Sequence, residues 1–233
     1  MSGAAEPPEG YPQRAFRLPK DATEILLVRH GASANAVPGV RHPLLDGQGD
    51  PALSAEGERQ ALAIAERLER EPVANLFVTT LQRTAQTAAP YAAQRRLEPV
   101  VVPELREVHL GDWEGGEFRI RSARRDPEAL RVRAEERWDV IPGAETMEAF
   151  AERLRIGVAR IVAETGPGAV AAAVVHGGVI GELCRQATGS RPFAFIHADN
   201  GSLTRLVVRG DRWLVRSFND IGHLAAGTST AAG

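Results

Sequence analysis

The chain reads as an α/β protein. The expected architecture is a three-layer sandwich: a mostly parallel sheet, helices on both faces, a helical insertion over the ligand-binding end and an antiparallel hairpin at one edge. Three observations predict it. Short continuous apolar runs, Ile25 to Val28 and Ala169 to Val175, have the length and branching of buried strands. These runs alternate with segments whose apolar residues recur at helical spacing, the order expected of a parallel sheet. Near the end, Leu203 to Val208 and Trp213 to Phe218 flank Gly210-Asp211, a two-residue hairpin signal.

In order along the chain, residues 1–20 hold several Pro, Gly and Ala without periodicity and are expected to form a disordered tail. One domain is expected over residues 21–224, with a second disordered tail over 225–233. The first strand, Glu24 to Val28, ends in Arg29-His30-Gly31, and a long loop rich in Gly, Pro and Asp follows from Ala34 to Ala52. Ser54 is placed to cap a helix whose apolar side is Leu62, Ile64, Ala65 and Leu68. Leu76 to Thr79 is the next strand, and the chain runs on into Arg83 at a helix start. A short strand at Pro99 to Val102 precedes a polar turn from Glu104 to Gly115.

Seven arginines (119, 121, 124, 125, 131, 133, 137) then mix with acids over a thin apolar pattern. The segment, about 116–142, reads as a helical insertion lying over the sheet and outside its core, with internal ion pairs favoured over a substrate-gripping role. Pro142-Gly143 breaks the chain before a helix from Thr146 to Val162, with Phe150, Leu154, Val158 and Ile161 on one side. The second buried strand ends in His176-Gly177-Gly178 and passes into a helix through Ile180 and Leu183.

Composition narrows the function. With 233 residues, 25% charged, a net charge of −2 and a pI near 6.3, the chain has no polyanion-binding signature, so no nucleic-acid partner is expected. No apolar run approaches the ~18 residues of a membrane span, and no basic-then-apolar leader is seen. No membrane association and a cytoplasmic location are therefore expected. Cys184 is the only cysteine, which excludes an internal disulfide and a multi-cysteine metal site. It lies on an apolar helix side, where packing is the favoured role.

Two strand-to-helix turns, each with a histidine at the tip and glycine behind it, suggest one shared pocket at the carboxyl ends of the strands, where α/β sheets bind ligands. Helix N-termini behind such turns present unpaired N–H groups, and arginine offers a planar fork matched to phosphate oxygens. Arg29, His30, Arg83 and His176 therefore point to an anion site.

These residues carry a family resemblance. Arg29-His30-Gly31, Leu81-Gln82-Arg83-Thr84-Ala85-Gln86-Thr87, Leu105-Arg106-Glu107 with Gly111-Asp112-Trp113-Glu114-Gly115, and Val175-His176-Gly177-Gly178 resemble, in order, the motifs of the histidine phosphatase superfamily, also called phosphoglycerate mutase-like. The resemblance runs from about Glu24 to His223. It implies that His30 is a nucleophile forming a phosphohistidine, that Glu107 is the proton donor, and that Arg29, Arg83, His176 and Gly177 belong to the phosphate site. Glu104 and Glu114 are the rivals of Glu107. The insertion would lie over the active site. No cofactor and no metal are implied, since the arginines do the neutralising, and the partner would be a small phosphate ester. The family often places Asn six residues after the nucleophile. Here Ala36 stands there, and Asn35, one residue earlier, is the substitute ligand. The expected activity is a phosphatase, with a phosphoglycerate mutase or an inactive phospho-ligand binding module as alternatives. The edge hairpin would allow a homodimer.

Overall fold

The computed structural model describes residue 11 and residues 13–224. The tail expected over 225–233 and the first ten positions of the tail expected over 1–20 lie outside these. Residues 13–20 carry no helix or strand, yet Leu18 packs against the core and the Arg216 guanidinium lies 3.7 Å from the Phe16 ring centroid.

The elements run β1 (Thr23–Arg29), a two-strand hairpin of β2 (Leu44–Leu45) and β3 (Gln48–Gly49), α1 (Ala55–Leu68), β4 (Val73–Val78), α2 (Gln82–Arg95) and β5 (Val100–Val101). There follow α3 (Glu117–Arg124), α4 (Pro127–Glu135), α5 (Met147–Thr165), β6 (Val170–Val175), α6 (Gly177–Thr188), β7 (Leu203–Arg209) and β8 (Arg212–Asp220). Six strands form one sheet in the order β5-β4-β6-β1-β7-β8. The first four are parallel, and β7 and β8 pair antiparallel at the edge, joined by Gly210-Asp211.

The period-2 alternation of the strands builds the two faces. Ile25 and Leu27 of β1, with Ala171, Ala173 and Val175 of β6, face Phe150, Leu154, Val158 and Ile161 of α5 and Val179, Ile180 and Leu183 of α6. Leu26 and Val28, with Ala172 and Val174, face Ile64, Ala65 and Leu68 of α1 and Ala88 and Tyr91 of α2. Each fully buried large apolar side chain contributes about 1.5–3 kcal/mol. Local signals set the helix starts: Ser54 Oγ accepts from Gly57 N at 3.2 Å, and Thr146 Oγ1 from Ala149 N at 3.1 Å.

Two expectations change. The insertion is part of the core: Ala129, Val132, Trp138 and Ile141 are buried in the same cluster as β1 and α5. Its helices are short, so only a few apolar residues reach inward and no long stripe marks them. The 34–52 loop also contains structure, the hairpin β2–β3, turned by Asp46-Gly47 with φ of 48° and 84°. Both central residues with positive φ are what a tight hairpin turn demands, and Asp-Gly supplies them.

Candidate active site

Sheet register brings the site together. Val28, Val174 and Val78 stand in one row across β1, β6 and β4, so these strands end level with one another. His30, His176 and the Thr79-Thr80 turn leading to α2 therefore emerge side by side. Gly31 is required here because the first turn of α1 comes very close: a Cβ on it would lie 2.5 Å from the carbonyl oxygen of Gly57.

The His30 ring is almost wholly buried and its hydrogen bonds define its tautomer. Nδ1 lies 2.7 Å from the Gly31 carbonyl oxygen, an acceptor, so Nδ1 carries the proton. Arg83 Nε donates to Nε2 at 3.2 Å, so Nε2 holds a lone pair. Burial, then Arg83 and Arg29, hold the His30 pKa well below the ordinary imidazole value. The ring is neutral at physiological pH. It stands edge-on to His176, with centroids 5.2 Å apart.

His176 is fully buried, and Nε2 shares a 3.0 Å hydrogen bond with Thr79 Oγ1. Its Nδ1 is buried without a partner. Burial, followed by Arg83 and His30, holds its pKa well below the ordinary value too. Arg29 donates to the Ala198 carbonyl oxygen, and its Nε is buried and unpartnered beside Gly177. Arg83 donates to the Gly49 carbonyl oxygen at 3.0 Å, and burial pushes its pKa down to about 10 against the opposing pull of Glu107 and Asp50. It stays charged.

Glu107 reaches this cluster from the polar turn. Its Oε2 accepts from Gly178 N at 3.1 Å and its Oε1 from Val108 N at 2.9 Å. It is the leading carboxylate acting on both Arg29 and Arg83. The rivals sit otherwise. Glu114 is tied to Leu110 N and Gly49 N, holding two loops together, and Glu104 lies beside Arg160 of α5.

A cavity of about 230 Å³ opens over these groups. Arg29, His30, Arg83 and Glu107 line its floor, and Gly116, Phe118, Arg119 and Trp138 of the insertion line its roof. Among the residues expected from sequence, His176 and Gly177 stand behind this surface rather than on it. Asn35 is a correction: its side chain is exposed and does not line the cavity. The loop turns outward at that residue, while Ser33 and Ala34 are held by another cation. That cation is Arg119, which donates to Ser33 Oγ at 2.7 Å and to the Ala34 carbonyl oxygen at 3.0 Å. One of the seven insertion arginines thus belongs to the site. Sequence reasoning also missed Gln48 and Gly49, which the Asp46-Gly47 hairpin signal would have placed. Among the described residues, no three His, Cys, Asp or Glu side chains are grouped as metal ligands would be.

The model of the histidine phosphatase superfamily (branch 1) matches residues 25–221, from within β1 to just past the end of β8. The chain belongs to this superfamily. Within it, the chain is 31% identical over 215 residues to a metal-independent phosphoserine phosphatase of Arabidopsis thaliana, covering 90% of this chain and 87% of that protein. It is 29% identical over 209 residues to a Yersinia enterocolitica protein named "Probable phosphoglycerate mutase GpmB", covering 86% and 94%. Among solved structures, a mycobacterial glucosyl-3-phosphoglycerate phosphatase superposes with a TM-score of 0.68 at 29% identity, covering 85% of this chain and 99% of that one.

Proposed function

We propose that the protein is a metal-independent phosphomonoesterase acting on a small phosphorylated metabolite through a phosphohistidine at His30. The observation that carries this reading is the His30 ring: neutral, oriented by Gly31, with the Nε2 lone pair at the cavity floor beside Arg83. A neutral imidazole is the nucleophilic form.

In the first step, Nε2 attacks phosphorus and the bond from phosphorus to the ester oxygen breaks. Glu107 gives its proton to the departing oxygen, so the alcohol leaves neutral. Arg29, Arg83 and Arg119 supply positive charge to the transferring phosphoryl oxygens, where electrostatic stabilisation does most of the catalytic work. In the second step, water attacks the phosphohistidine, its proton passes to the Glu107 carboxylate, and the N–P bond breaks to free His30 and inorganic phosphate. His176 holds its place against His30 from behind and supports the ring orientation.

Transfer of the phosphoryl group to a second hydroxyl, as in a mutase, is the other reading, favoured by the relatives that carry that name. It shares the first step. No helix among the described residues is long and apolar enough to cross a membrane. A cytoplasmic location is proposed from the cysteine content, a single Cys184 that fits a reducing compartment.

The test is phosphate release from an aryl phosphate in excess chelator, by the wild type and by His30→Ala. Release by the wild type alone is expected. Equal release by both proteins would refute a role for His30, and failure of the wild type with phosphoglycerate isomerisation present would establish the mutase.

A further inference from the structure

Glu107 stands on a turn with no helix or strand, between two short 3-10 turns at Pro103–Leu105 and Gly111–Trp113. Such backbone is ordinarily mobile. A general acid needs the opposite, since displacement of a reacting group by about 1 Å can cost ~10²-fold in rate. The structure supplies a fixing device from the other side of the turn. Arg153, on α5, spreads its guanidinium over it: Nη1 donates to the carbonyl oxygens of Glu104 and Arg106, both at 2.7 Å, and Nη2 to that of Glu107 at 2.9 Å.

The guanidinium is itself held. Its Nε and Nη2 donate to the two oxygens of Glu145 at 2.6 and 2.8 Å, a bidentate pair, and its Cζ lies 4.8 Å from the centroid of the Phe150 ring. Glu145 extends the grip, since its Oε2 accepts from His109 N at 3.3 Å and its backbone N–H donates to the His109 carbonyl oxygen at 2.9 Å. From the opposite side, Gln48 Nε2 also donates to the Glu107 carbonyl oxygen at 2.7 Å. Both lone pairs of that carbonyl are therefore used, and the backbone on either side of Glu107 is pinned from 104 to 109. Arg153 is about one-quarter exposed and does not line the cavity.

We propose that Arg153, with Glu145 behind it, is a positioning residue for the proton-donating carboxylate of Glu107. It never touches the substrate. Only a planar fork of donors can meet three carbonyls and a carboxylate together, so lysine is a poor substitute despite its charge. The inference rests on the role given above to Glu107.

A residue that merely stabilises the fold would change activity toward all esters alike. A residue that places the general acid affects esters in proportion to how badly the leaving oxygen needs a proton. The experiment compares kcat/KM, which reports the first phosphoryl transfer, for a 4-nitrophenyl ester and for a primary alkyl phosphate. The proteins are wild type, Glu107→Gln, Arg153→Ala and the double variant, with Arg153→Lys as the gentler change should alanine not fold. Arg153→Ala is expected to lose about 10²-fold on the alkyl ester and only about threefold on the aryl ester. In the Glu107→Gln background it is expected to add no further selective loss. Selective loss in Glu107→Gln, with equal or no losses in the Arg153 variants, would overturn the positioning role and leave the phosphatase reading standing. Equal losses on both esters in Glu107→Gln would remove the acid role of Glu107, and the inference with it.

Discussion

Gly178→Ala separates the placement of Glu107 from the stability of the fold. Gly178 stands in the first turn of α6 with ordinary helical backbone, so alanine meets no backbone strain there. A Cβ at this position would lie 2.4 Å from Glu107 Oε1, and all three of its nearest neighbours are atoms of that one carboxylate. Ordinary contact begins at 3.4 Å, so the carboxylate must withdraw by about 1 Å. The hydrogen bond from Gly178 N to Oε2 is strained or lost with it. For folding the change is cheap, because the displaced group is the end of a flexible side chain, and Ala in place of Gly favours the helix by about 0.5–1 kcal/mol. For catalysis it is not. A shift of that size in a general acid is worth ~10²-fold, or about 2.7 kcal/mol of transition-state stabilisation. Urea unfolding should therefore give a midpoint at or slightly above that of the wild type, while kcat/KM on an alkyl phosphate falls ~10²-fold. Unchanged turnover in a folded variant would refute the placement of Glu107 as the proton donor. Loss of folding would refute the claim that Gly178 is small for the sake of the site.

Two further outcomes follow from the buried groups. His30 and His176 have folded-state pKa values well below the ordinary one, so between that value and about 6.5 the unfolded chain binds protons that the folded chain does not. Stability is thus fully present above pH 6.5 and is lost on acidification, each histidine contributing a slope of up to about 1.4 kcal/mol per pH unit. Unfolding of His30→Asn at pH 5 and pH 7 should show a correspondingly smaller difference than the wild type, and an unchanged difference would mean that His30 is protonated in the folded state. Burial pushes the Cys184 thiol up to about 12, so iodoacetamide at pH 8 should leave the native protein unmodified and label it after denaturation. Rapid labelling of the native protein would contradict its burial.

The residues that announced themselves in the sequence are those whose neighbours along the chain carry the signal. Val170 to Val175 is an unbroken apolar run, and its position between β1 and β4 explains why both faces had to be apolar. Arg29, His30 and Arg83 were legible because each stands at a strand end or helix start with its own local pattern, whereas Glu107 was singled out from Glu104 and Glu114 only by the family resemblance. Other features depend on distant partners. Arg119 was one arginine among seven, and what distinguishes it is Ser33, brought opposite by the fold across 86 positions of chain. Asn35 was chosen by the family resemblance, as a stand-in for an Asn one residue later, but the direction of the loop decides its role, and its side chain is exposed. Trp138 and Ile141 fall in the segment read as lying outside the core, because the helices before them, α3 and α4, bury only a few apolar side chains. The Asp46-Gly47 turn was readable and overlooked; it delivers Gln48 to the Glu107 carbonyl oxygen and Gly49 to Arg83.

The central claim is that His30 Nε2 takes the phosphoryl group. The direct measurement is rapid quenching of the wild type and His30→Ala with a radiolabelled phosphate ester, followed by phosphopeptide mapping under alkaline conditions, where phosphohistidine survives and acid would destroy it. Label on the peptide containing His30 in the wild type, and none in the variant, is the predicted result. Label on another residue, or turnover at the wild-type rate by His30→Ala without any covalent species, would contradict it.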